Sequence, residues 1–455
     1  MAHIAIVGGG IGGLPTAYEL RHLLPREHKI TLISDRSKFT FIPSLPWVAF
    51  DMTPLENVQL EIEPLLKWRG IDWVDGRVTH LDPEAKTLVA GDRTLNYDYL
   101  VIATGASLNT DAVPGLGPDK GYTHSVCNPH HAEMAREAWL EFEANPGPLV
   151  VGAVPGASCM GPAYEFALLA DHVLRKRGLR DRVPITFVSP EPYAGHLGIG
   201  GMANSGKLVT QLFEMKQIDW IENAAVTEIT PDEICLADGR RLPFKYSMLL
   251  PPFLGAKFLR DVPGLTDAKG FVPVKPTYRH PDFPSIYSLG IAIQLAPPEK
   301  TPVPLGVPKT GQMTESMGMA VAHNIARDLG VIQSDPVKPT LEAICMADFG
   351  DTGIIFIAQP VLPELESGTR RRAIAKRGIW VSWIKTAFER FFMAKMQNGL
   401  GIPWFEKLGL GMLGIRLVEP LSEAERLEEM THGSGSGSRP SGSRVGVARE
   451  SVQNP

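Results

Sequence analysis

The chain has 455 residues, 44% of them hydrophobic and 21% charged, so its length and ordinary globular composition predict two or three packed units. A formal net charge of -5, without a long basic run, argues against nucleic acid as a partner. Four cysteines are too few for a disulfide scaffold, so each must be judged on its own surroundings.

The N-terminus reads directly as a strand. Residues HIAIV run into glycines, without the basic start and separate apolar stretch of a secretory signal. No stretch approaches the roughly 18–20 unbroken apolar residues that cross a bilayer as a helix. We therefore expect a chain with no signal peptide and no transmembrane helix.

A glycine-rich turn follows this first strand. Gly8, Gly10 and Gly13 form a G-x-G-x-x-G pattern between strand HIAIV and a helix, and strand KITLIS comes next. Glycines at these places allow a tight turn, let the backbone approach a pyrophosphate and bring the helix against the strand. The helix N-terminus then offers N–H groups and a positive dipole end to the phosphates. The unit predicts a dinucleotide site.

Two further observations concern this site. The acidic residue that usually ends the second strand is replaced by Ser34, with Asp35 next, which weakens the ribose assignment but not the phosphate assignment. The strand in YDYLVIATGA ends in Thr104 and Gly105, in a turn that flavoproteins with two dinucleotide domains place near the cofactor. Together with the glycine turn, this favours FAD.

A second strand-turn-helix unit spans residues 148–170. Its turn reads GAVPG from Gly152, so Val154 stands where a glycine would let a pyrophosphate approach, and Pro155 removes an N–H donor. The turn therefore predicts that a pyridine nucleotide no longer binds. Cys159 follows near the helix start, where the dipole favours the reactive thiolate, and the alternative is a small buried, inert cysteine.

Residues 331–430 form a third section. The apolar run GIIFIAQP predicts a buried strand, and aromatic-rich helical stretches follow it. Helical spacing predicts an apolar stripe made of Trp380, Trp383, Ile384, Ala387, Phe388, Phe391 and Phe392. Basic residues surround this stripe, namely Arg370, Arg371, Arg372, Lys376, Arg377, Lys385, Arg390 and Lys395. Such a helix suits a membrane surface, and the alternative is an ordinary helix that faces a core.

Six segments carry more specific information than a dinucleotide fingerprint. They are IVGGGIGGLPTAYEL, FIPSLPWV, GASCMGPAYEFA, EPYAGHLGI, TPVPLGVPKTG and ICMADFGD. From residue 1 to about 425 the chain resembles bacterial sulfide:quinone oxidoreductases of the type with three redox cysteines.

The resemblance implies a fold and a division into domains. The fold is α/β, with two Rossmann-like dinucleotide-binding-type domains, as in glutathione-reductase-like flavoproteins, and a C-terminal amphipathic membrane-surface region. We expect an FAD-binding domain at 1–110 and 270–330 and a second Rossmann-like domain with a degenerate NAD site at 111–269. A quinone and membrane region follows at 331–430. The Gly/Ser/Arg-rich composition of 431–455 predicts a disordered tail.

The resemblance also implies a cysteine mechanism. Cys159 and Cys345 would flank the flavin and hold a disulfide or longer sulfur bridge, with Cys127 as the third member and Cys235 structural. Hydrosulfide would attack the bridge, leaving a persulfide and a thiolate, and two electrons would pass to the flavin. Sulfur would leave as polysulfide.

Other residues receive roles from the same resemblance. His131 and His196 match histidines on the proton and quinone path, since histidine titrates in the useful range. Met346 and Lys385 match quinone contacts, and Lys309 would place a positive charge near the flavin pyrimidine. The matched FAD positions are Gly8, Gly10, Gly12, Gly13, Ser34, Asp35, Ser44, Val78, Thr104, Gly105, Gly290, Ile291, Lys309 and Gly311.

The partners implied are sulfide, a membrane quinone, the membrane surface and further copies of the chain in a dimer or trimer, with no metal. The protein would be a peripheral, monotopic membrane protein on a membrane face that the sequence does not identify.

Alternative functions are a type II NADH:quinone dehydrogenase, which needs an intact second glycine turn, and the flavoprotein subunit of flavocytochrome c, which normally carries an export signal. Disulfide reductases would need a Cys-x4-Cys pair. A redox-sensing flavin module would lack turnover.

Overall fold

The structure, a computed structural model, describes residues 1–364 and 367–430. The tail expected at 431–455 lies outside the described residues.

The chain begins with the β-α-β unit that the sequence predicts and continues into a series of consecutive strands. In chain order the elements are β1 (His3–Val7), α1 (Gly13–Leu23), β2 (Lys29–Ser34), β3 (Lys38–Thr40), α2 (Leu45–Ala49), β4 (Gln59–Glu61), α3 (Ile62–Arg69), β5 (Asp72–Asp75), β6 (Val78–Asp82), β7 (Thr87–Ala90), β8 (Arg93–Asn96), β9 (Tyr99–Ile102) and β10 (Ser107–Leu108).

The middle of the chain also begins with alternating helices and strands and continues into consecutive strands. Its elements are α4 (Pro129–Ala144), β11 (Leu149–Ala153), α5 (Gly161–Lys176), β12 (Ile185–Val188), α6 (Ser205–Lys216), β13 (Ile218–Ile221), β14 (Val226–Ile229), β15 (Glu233–Leu236), β16 (Arg241–Pro243), β17 (Tyr246–Leu250), β18 (Phe253–Leu254) and α7 (Lys257–Arg260).

The remaining elements include the expected strand and helices of the third section. They are β19 (Ile286–Ser288), α8 (Gly311–Asp328), β20 (Val337–Pro339), β21 (Ala343–Asp348), β22 (Gly353–Gln359), β23 (Arg372–Arg377), α9 (Trp380–Gln397), α10 (Trp404–Met412), β24 (Val418–Pro420) and α11 (Glu423–Met430).

Two parallel sheets carry the two glycine turns, which confirms the α/β fold. Their strand orders are β19-β9-β1-β2-β5 and β13-β12-β11-β17. Parallel sheets are covered on both faces, which explains why β1 and β11 are continuous apolar runs. Because β19 pairs with β9, the chain returns to the first sheet after the second is complete. On this basis we propose the division into domains given above.

Helices α1 and α8 lie against each other over the first sheet. A Cβ on Gly318 would stand 2.2 Å from the hydroxyl oxygen of Thr16, so only glycine allows this close approach. The contact ties the N-terminal unit to the segment that returns late in the chain.

The C-terminal region is built on an antiparallel sheet, in the order β21-β22-β23. Strand β21 packs against α5, α8 and α9, so it joins the second parallel sheet to the C-terminal helices. Cys345 lies in this strand opposite Phe356.

The aromatic stripe of α9 divides between core and surface. Phe392 is only 2% exposed and packs on Phe39 and Phe41, with ring centroids 6.1 Å and 5.1 Å away. Trp383, by contrast, is 69% exposed. Phe392 therefore belongs to the core and Trp383 to the surface, so the predicted stripe does not form one continuous exposed face.

Two of the basic residues expected around the stripe point inward. Lys385 forms an ion pair with Glu165, and Lys395 forms one with Glu315 at 2.6 Å; all four side chains are buried. Lys395 also lies 3.1 Å from Glu406 on α10. The expectation of a surface position is wrong for these two lysines, because buried carboxylates far away in the sequence attract them.

Within residues 1–364 and 367–430, every helix is too short or too polar to cross a bilayer.

Candidate functional site

The first glycine turn has the shape of a phosphate cradle. A Cβ on Gly8, whose φ is +116°, would stand 2.2 Å from the Ala103 carbonyl oxygen, and one on Gly13 would stand 1.8 Å from that of Gly8. These glycines make the turn tight. At Gly10 no described heavy atom lies within 4 Å of a Cβ position, so the backbone there is open to a ligand. The residues fit the pyrophosphate of a dinucleotide.

Further positions assigned to the cofactor lie beside this turn. Gly105 has a φ of +67° and open space at its Cβ position, and Gly290 has a φ of +69°. Helix α8 begins at Gly311, whose Cβ position is 3.5 Å from the Ile11 side chain within the first turn. Ile291 follows Gly290 in a short 3-10 helix. The structure brings these residues together with the cradle.

The remaining assigned residues are placed less uniformly. Ser34 lies beside the cradle, and its hydroxyl accepts from the Arg36 N–H at 3.1 Å. Asp35 next to it pairs with Arg77 at 2.7 Å. Ser44, by contrast, donates to Glu389 on α9, and Val78 is buried in a separate apolar cluster. The side chains of Ser44 and Val78 are thus engaged elsewhere.

Lys309 stands one residue before the N-cap of α8. Its Nζ lies 4.9 Å from the ring centroid of Phe271. Burial lowers the pKa of Lys309 to about 8, against an opposing effect of Asp267. At neutral pH the side chain therefore still carries the positive charge that the sequence assigns to it.

The three cysteines assigned to catalysis come from three different elements. Cys127 precedes the N-cap of α4, Cys159 stands two residues before α5, and Cys345 lies in β21. Cys159 interacts electrostatically with both Cys127 and Cys345, so it lies near each of them. All three are free cysteines whose residues are partly exposed although their thiol groups lie in buried surroundings, whereas Cys235 is buried in β15. The fold thus gathers the three cysteines and leaves the fourth apart.

Burial controls the protonation of these thiols. It raises the pKa of Cys159 to about 11, although the Gly161 backbone N–H acts in the opposite direction. Burial and the neighbouring Cys159 raise the pKa of Cys127 and of Cys345 to about 12. The expectation that the helix terminus favours a Cys159 thiolate is wrong for the free thiol, because desolvation outweighs the dipole.

The second glycine turn is closed by the chain itself. The Gly156 N–H donates to the Pro304 carbonyl at 2.7 Å, and the Gly306 N–H donates to the Ala157 carbonyl at 3.0 Å. A Cβ on Gly306 would stand 2.1 Å from the Ser158 hydroxyl oxygen, so the two segments are in close contact. Backbone groups that would bind a pyrophosphate are covered, and Val154 beside them is buried.

His131 lies within a line of hydrogen bonds. Its Nδ1 is 2.7 Å from the Ser125 hydroxyl, and its Nε2 is 3.3 Å from a carboxylate oxygen of Asp119. Ser125 in turn acts on the Cys127 thiol and lowers its pKa, against the larger effect of burial. Burial also lowers the pKa of His131, while Asp119 raises it. The line connects a cysteine to a half-exposed carboxylate.

His196 is buried in a glycine-rich loop. Its Nε2 lies 2.8 Å from Glu299, and its Nδ1 accepts from the Gly198 N–H at 3.1 Å. A Cβ on Gly198 would stand 2.6 Å from the Gly306 carbonyl oxygen. His196 therefore holds its loop against the segment that closes the second turn.

Lys385, assigned to the quinone, is buried where three elements meet. It forms its ion pair with Glu165 of α5 and lies 4.8 Å from the ring centroid of Trp47. Trp47 donates to Asp348 at the end of β21 at 3.1 Å. Burial raises the pKa of Glu165 to about 7, although Lys385 opposes this. Glu165 lies in α5, and α5 packs against β21, the strand that contains Met346.

Sequence reasoning missed the partners of the assigned residues. Asp119 and Ser125 stand 12 and 6 residues before His131 in sequence, but nothing in their pattern separates them from surface polar residues. Glu165 had a usable signal, because a carboxylate within the apolar helix run PAYEFALLA is rarely buried without a partner.

Comparison with known proteins finds relatives over most of the chain. Residues 2–290 match the family of pyridine nucleotide-disulphide oxidoreductases. A sulfide-quinone reductase of Aquifex aeolicus is 42% identical over 414 residues, covering 89% of this chain and 93% of the relative. A mitochondrial sulfide:quinone oxidoreductase of Dictyostelium discoideum is 28% identical over 364 residues, covering 76% and 77%. The X-ray structure of the Aquifex aeolicus sulfide:quinone oxidoreductase matches with a TM-score of 0.89 and 40% identity, covering 96% of this chain and 100% of that chain.

The closed second turn predicts that NADH does not bind. Both the wild type and Val154→Gly should show no saturable heat on titration with NADH, because the segment around Pro304 still covers the backbone donors in the variant. Isothermal calorimetry on the cofactor-loaded protein measures this. A dissociation constant below about 1 mM for the wild type would contradict the prediction.

Proposed function

Since the chain belongs to the sulfide-quinone reductase family, we propose that Cys159 and Cys345 perform its sulfur chemistry, with Cys127 as the third member. The chain is an FAD-dependent oxidoreductase that couples sulfide oxidation to quinone reduction. The observation that carries the cysteine assignment is that Cys159, at the start of α5, lies near both Cys127 and Cys345, which come from two other elements.

The proposed chemistry begins with a disulfide or longer sulfur bridge between Cys159 and Cys345. Hydrosulfide attacks one sulfur of the bridge and the S–S bond breaks, which leaves a persulfide on one cysteine and a thiolate on the other. Sulfur leaves later as polysulfide. The assigned positions beside the first turn and Lys309 would hold FAD, which would supply a two-electron acceptor between the cysteines and the quinone.

The raised thiol pKa values explain why this thiolate is reactive. A thiolate formed in a site that raises its pKa to about 11 or 12 is poorly solvated, so it gains by giving up its charge. Breaking the bridge therefore creates a nucleophile and reductant that burial disfavours in the resting thiol.

His131 is proposed to carry protons away from the cysteines. In this scheme Cys127 takes up the proton of the persulfide as it passes its own proton to Ser125, Ser125 donates to His131 Nδ1, and His131 Nε2–H donates to Asp119. The distances of 2.7 Å and 3.3 Å support the last two steps. His196 is proposed as a second proton-transfer group, since its partner Glu299 is half-exposed.

Met346 and Lys385 are proposed as quinone contacts. Reduction of a quinone consumes two protons, and the Glu165 carboxyl beside Lys385 holds a proton near neutral pH because burial raises its pKa to about 7. The pair would supply charge and a proton at the quinone end of the site.

The membrane surface is proposed as the docking partner of α9 and α10. Exposed apolar side chains from both helices support this, namely Trp383, Ile384, Trp404, Phe405, Leu408, Met412 and Leu413. Helices with such a face suit a position in the headgroup layer, from which a quinone can be collected. The protein would then be a monotopic membrane protein. Assembly into a dimer or trimer stays a prediction of the sequence resemblance.

Loss of either cysteine of the proposed bridge, Cys159 or Cys345, should abolish sulfide oxidation. Cys159→Ala and Cys345→Ser should each slow anaerobic flavin reduction by sulfide on the order of a thousandfold or more, because no bridge forms. Stopped-flow absorbance of the flavin measures the rate. Cys235→Ala is the matched control and should match the wild type, and dithionite should still reduce every variant. A rapid sulfide reaction in Cys159→Ala would disprove the cysteine assignment.

The proton line predicts a change in pH dependence. His131 must be neutral to accept a proton, so the acid limb of the sulfide step lies at its pKa, which burial lowers from the ordinary value. Asp119→Asn removes a group that raises this pKa, so the limb should move to lower pH. If the acid limb of the pH profile does not move in Asp119→Asn, proton transfer through Ser125, His131 and Asp119 is ruled out. Lys385→Gln combined with Glu165→Gln, which leaves no unpaired buried charge, is the contrast, because it should slow only reoxidation by quinone, by about 100-fold.

The membrane proposal predicts a loss of vesicle binding. Changing Trp383 and Trp404 together to Ser removes two exposed aromatic side chains and should weaken binding to zwitterionic vesicles by about tenfold or more. Vesicle sedimentation measures this. Tyr122→Ser, which removes an exposed aromatic from another part of the chain, should bind as the wild type does. Equal binding of all three proteins would overturn the proposal.

A further inference from the structure

Three arginines surround an open cleft at the far end of α1 and α3. The cleft has a volume of about 320 Å³ and is lined by Arg21, Arg26, Arg69 and Trp68. Trp68 is 63% exposed, and the guanidinium of Arg69 lies 4.4 Å from the centroid of its ring. The lining combines three cations with one exposed aromatic wall.

The positive charge of this cleft is not neutralised within the described part of the chain. In residues 1–364 and 367–430, no carboxylate lies within 4 Å of any of the three guanidinium groups. Arg69 Nε is buried without a hydrogen-bond partner in the same region. Burial, and next the nearby Arg26, lower the pKa of Arg21. Three like charges held together in this way favour an anion from outside the chain.

Two of the three side chains are partly fixed by the backbone. Arg21 donates to the carbonyls of His28 at 2.9 Å and Leu24 at 2.8 Å, and Arg69 donates to the carbonyl of Asn398 at 2.6 Å. The guanidinium groups of Arg21 and Arg69 are therefore held in place before a ligand arrives, which reduces the entropy cost of binding.

The cleft is separate from the flavin cradle. Helix α1 begins at Gly13 beside the cradle, and Arg21 lies eight residues later, about 12 Å along the helix axis. Arg69 ends α3 just before β5, at the amino end of the first sheet. The cradle stands at the opposite, carboxyl end.

The cleft borders the aromatic surface proposed for the membrane. The backbone at Gly399 contacts Arg69, since a Cβ there would stand 2.4 Å from Arg69 Nε. Asn398 and Gly399 belong to the connection between α9 and α10, and α10 opens with Trp404, which is 74% exposed. The charged cleft and the aromatic surface therefore share one edge of the protein.

We propose that this cleft binds the phosphate group of an anionic phospholipid. The inference rests on the membrane-surface function proposed above. Arginine forks match phosphate oxygens in two-point hydrogen bonds, and exposed tryptophan is typical of the headgroup layer. The cleft is open rather than enclosed and adjoins an apolar surface, which suits a headgroup with its acyl chains outside better than a free ion.

Arg26 and Arg69 are the residues to change. Arg26 is exposed and Arg69 donates one of its groups to a loop carbonyl, whereas Arg21 holds the C-terminal turn of α1 and is left intact. Arg26→Gln alone guards against a folding defect in the double variant. Arg93→Gln, an equal loss of charge on the exposed strand β8, is the matched control.

The test compares full-length, cofactor-loaded protein on two kinds of vesicle, pure phosphatidylcholine and a mixture with phosphatidylglycerol. The wild type should bind the anionic vesicles more tightly. Arg26→Gln should lose about fivefold of that affinity and Arg26→Gln/Arg69→Gln more, while both keep wild-type binding to phosphatidylcholine. Arg93→Gln should match the wild type on both.

Three outcomes would overturn the proposal. Equal affinity of the wild type for both kinds of vesicle would exclude a lipid phosphate as the ligand of the cleft, but it would not contradict the proposed membrane surface of α9 and α10. Equal losses in Arg93→Gln and Arg26→Gln would show a general charge effect without a site. Displacement of the protein from anionic vesicles by about 1 mM inorganic phosphate, at constant ionic strength, would identify a free anion as the ligand.

Discussion

Two backbone hydrogen bonds determine most of the site. Gly156 and Gly306 donate to the carbonyls of Pro304 and Ala157, and so join the second glycine turn to the segment that leads into α8. The first bond occupies the Gly156 N–H, which a pyrophosphate in this turn would need, and both bonds hold the segment around Pro304 over the turn that leads to Cys159. The same segment continues to Lys309 and the start of α8 beside the first turn. The chain thereby closes its own second glycine turn.

The sequence predicts those parts of this arrangement that depend on local chemistry. Val154 and Pro155 reveal the lost nucleotide because steric bulk and a missing N–H act within the turn itself. Periodicity locates α9 but cannot assign Lys385 and Lys395 to the interior, because their partners Glu165 and Glu315 are 220 and 80 residues away. The protonation of Cys159 also escapes sequence reasoning, since the helix dipole is visible in the sequence whereas desolvation is a property of the packed fold.

The buried lysine–glutamate pairs have a consequence beyond stability. Isolated charges in a core are costly, and such pairs often contribute little net free energy of folding. Breaking one by removing a single partner is severe, however, because it strands a buried charge. Lys395 on α9 pairs with Glu315 on α8 and with Glu406 on α10, so these ion pairs link α8 to the two helices that carry the exposed aromatic side chains.

The same desolvation connects structure to chemistry at the cysteines. A thiol held in a site that raises its pKa to about 11 or 12 stays protonated and unreactive at rest. Cleavage of a sulfur bridge is different, because it produces a thiolate directly and without a prior deprotonation. In such a site the charge is removed most readily by forming a new bond to sulfur or by giving up electrons. Burial therefore suppresses stray thiol reactions and favours the two-electron step, provided that a line such as Asp119, His131 and Ser125 handles the proton.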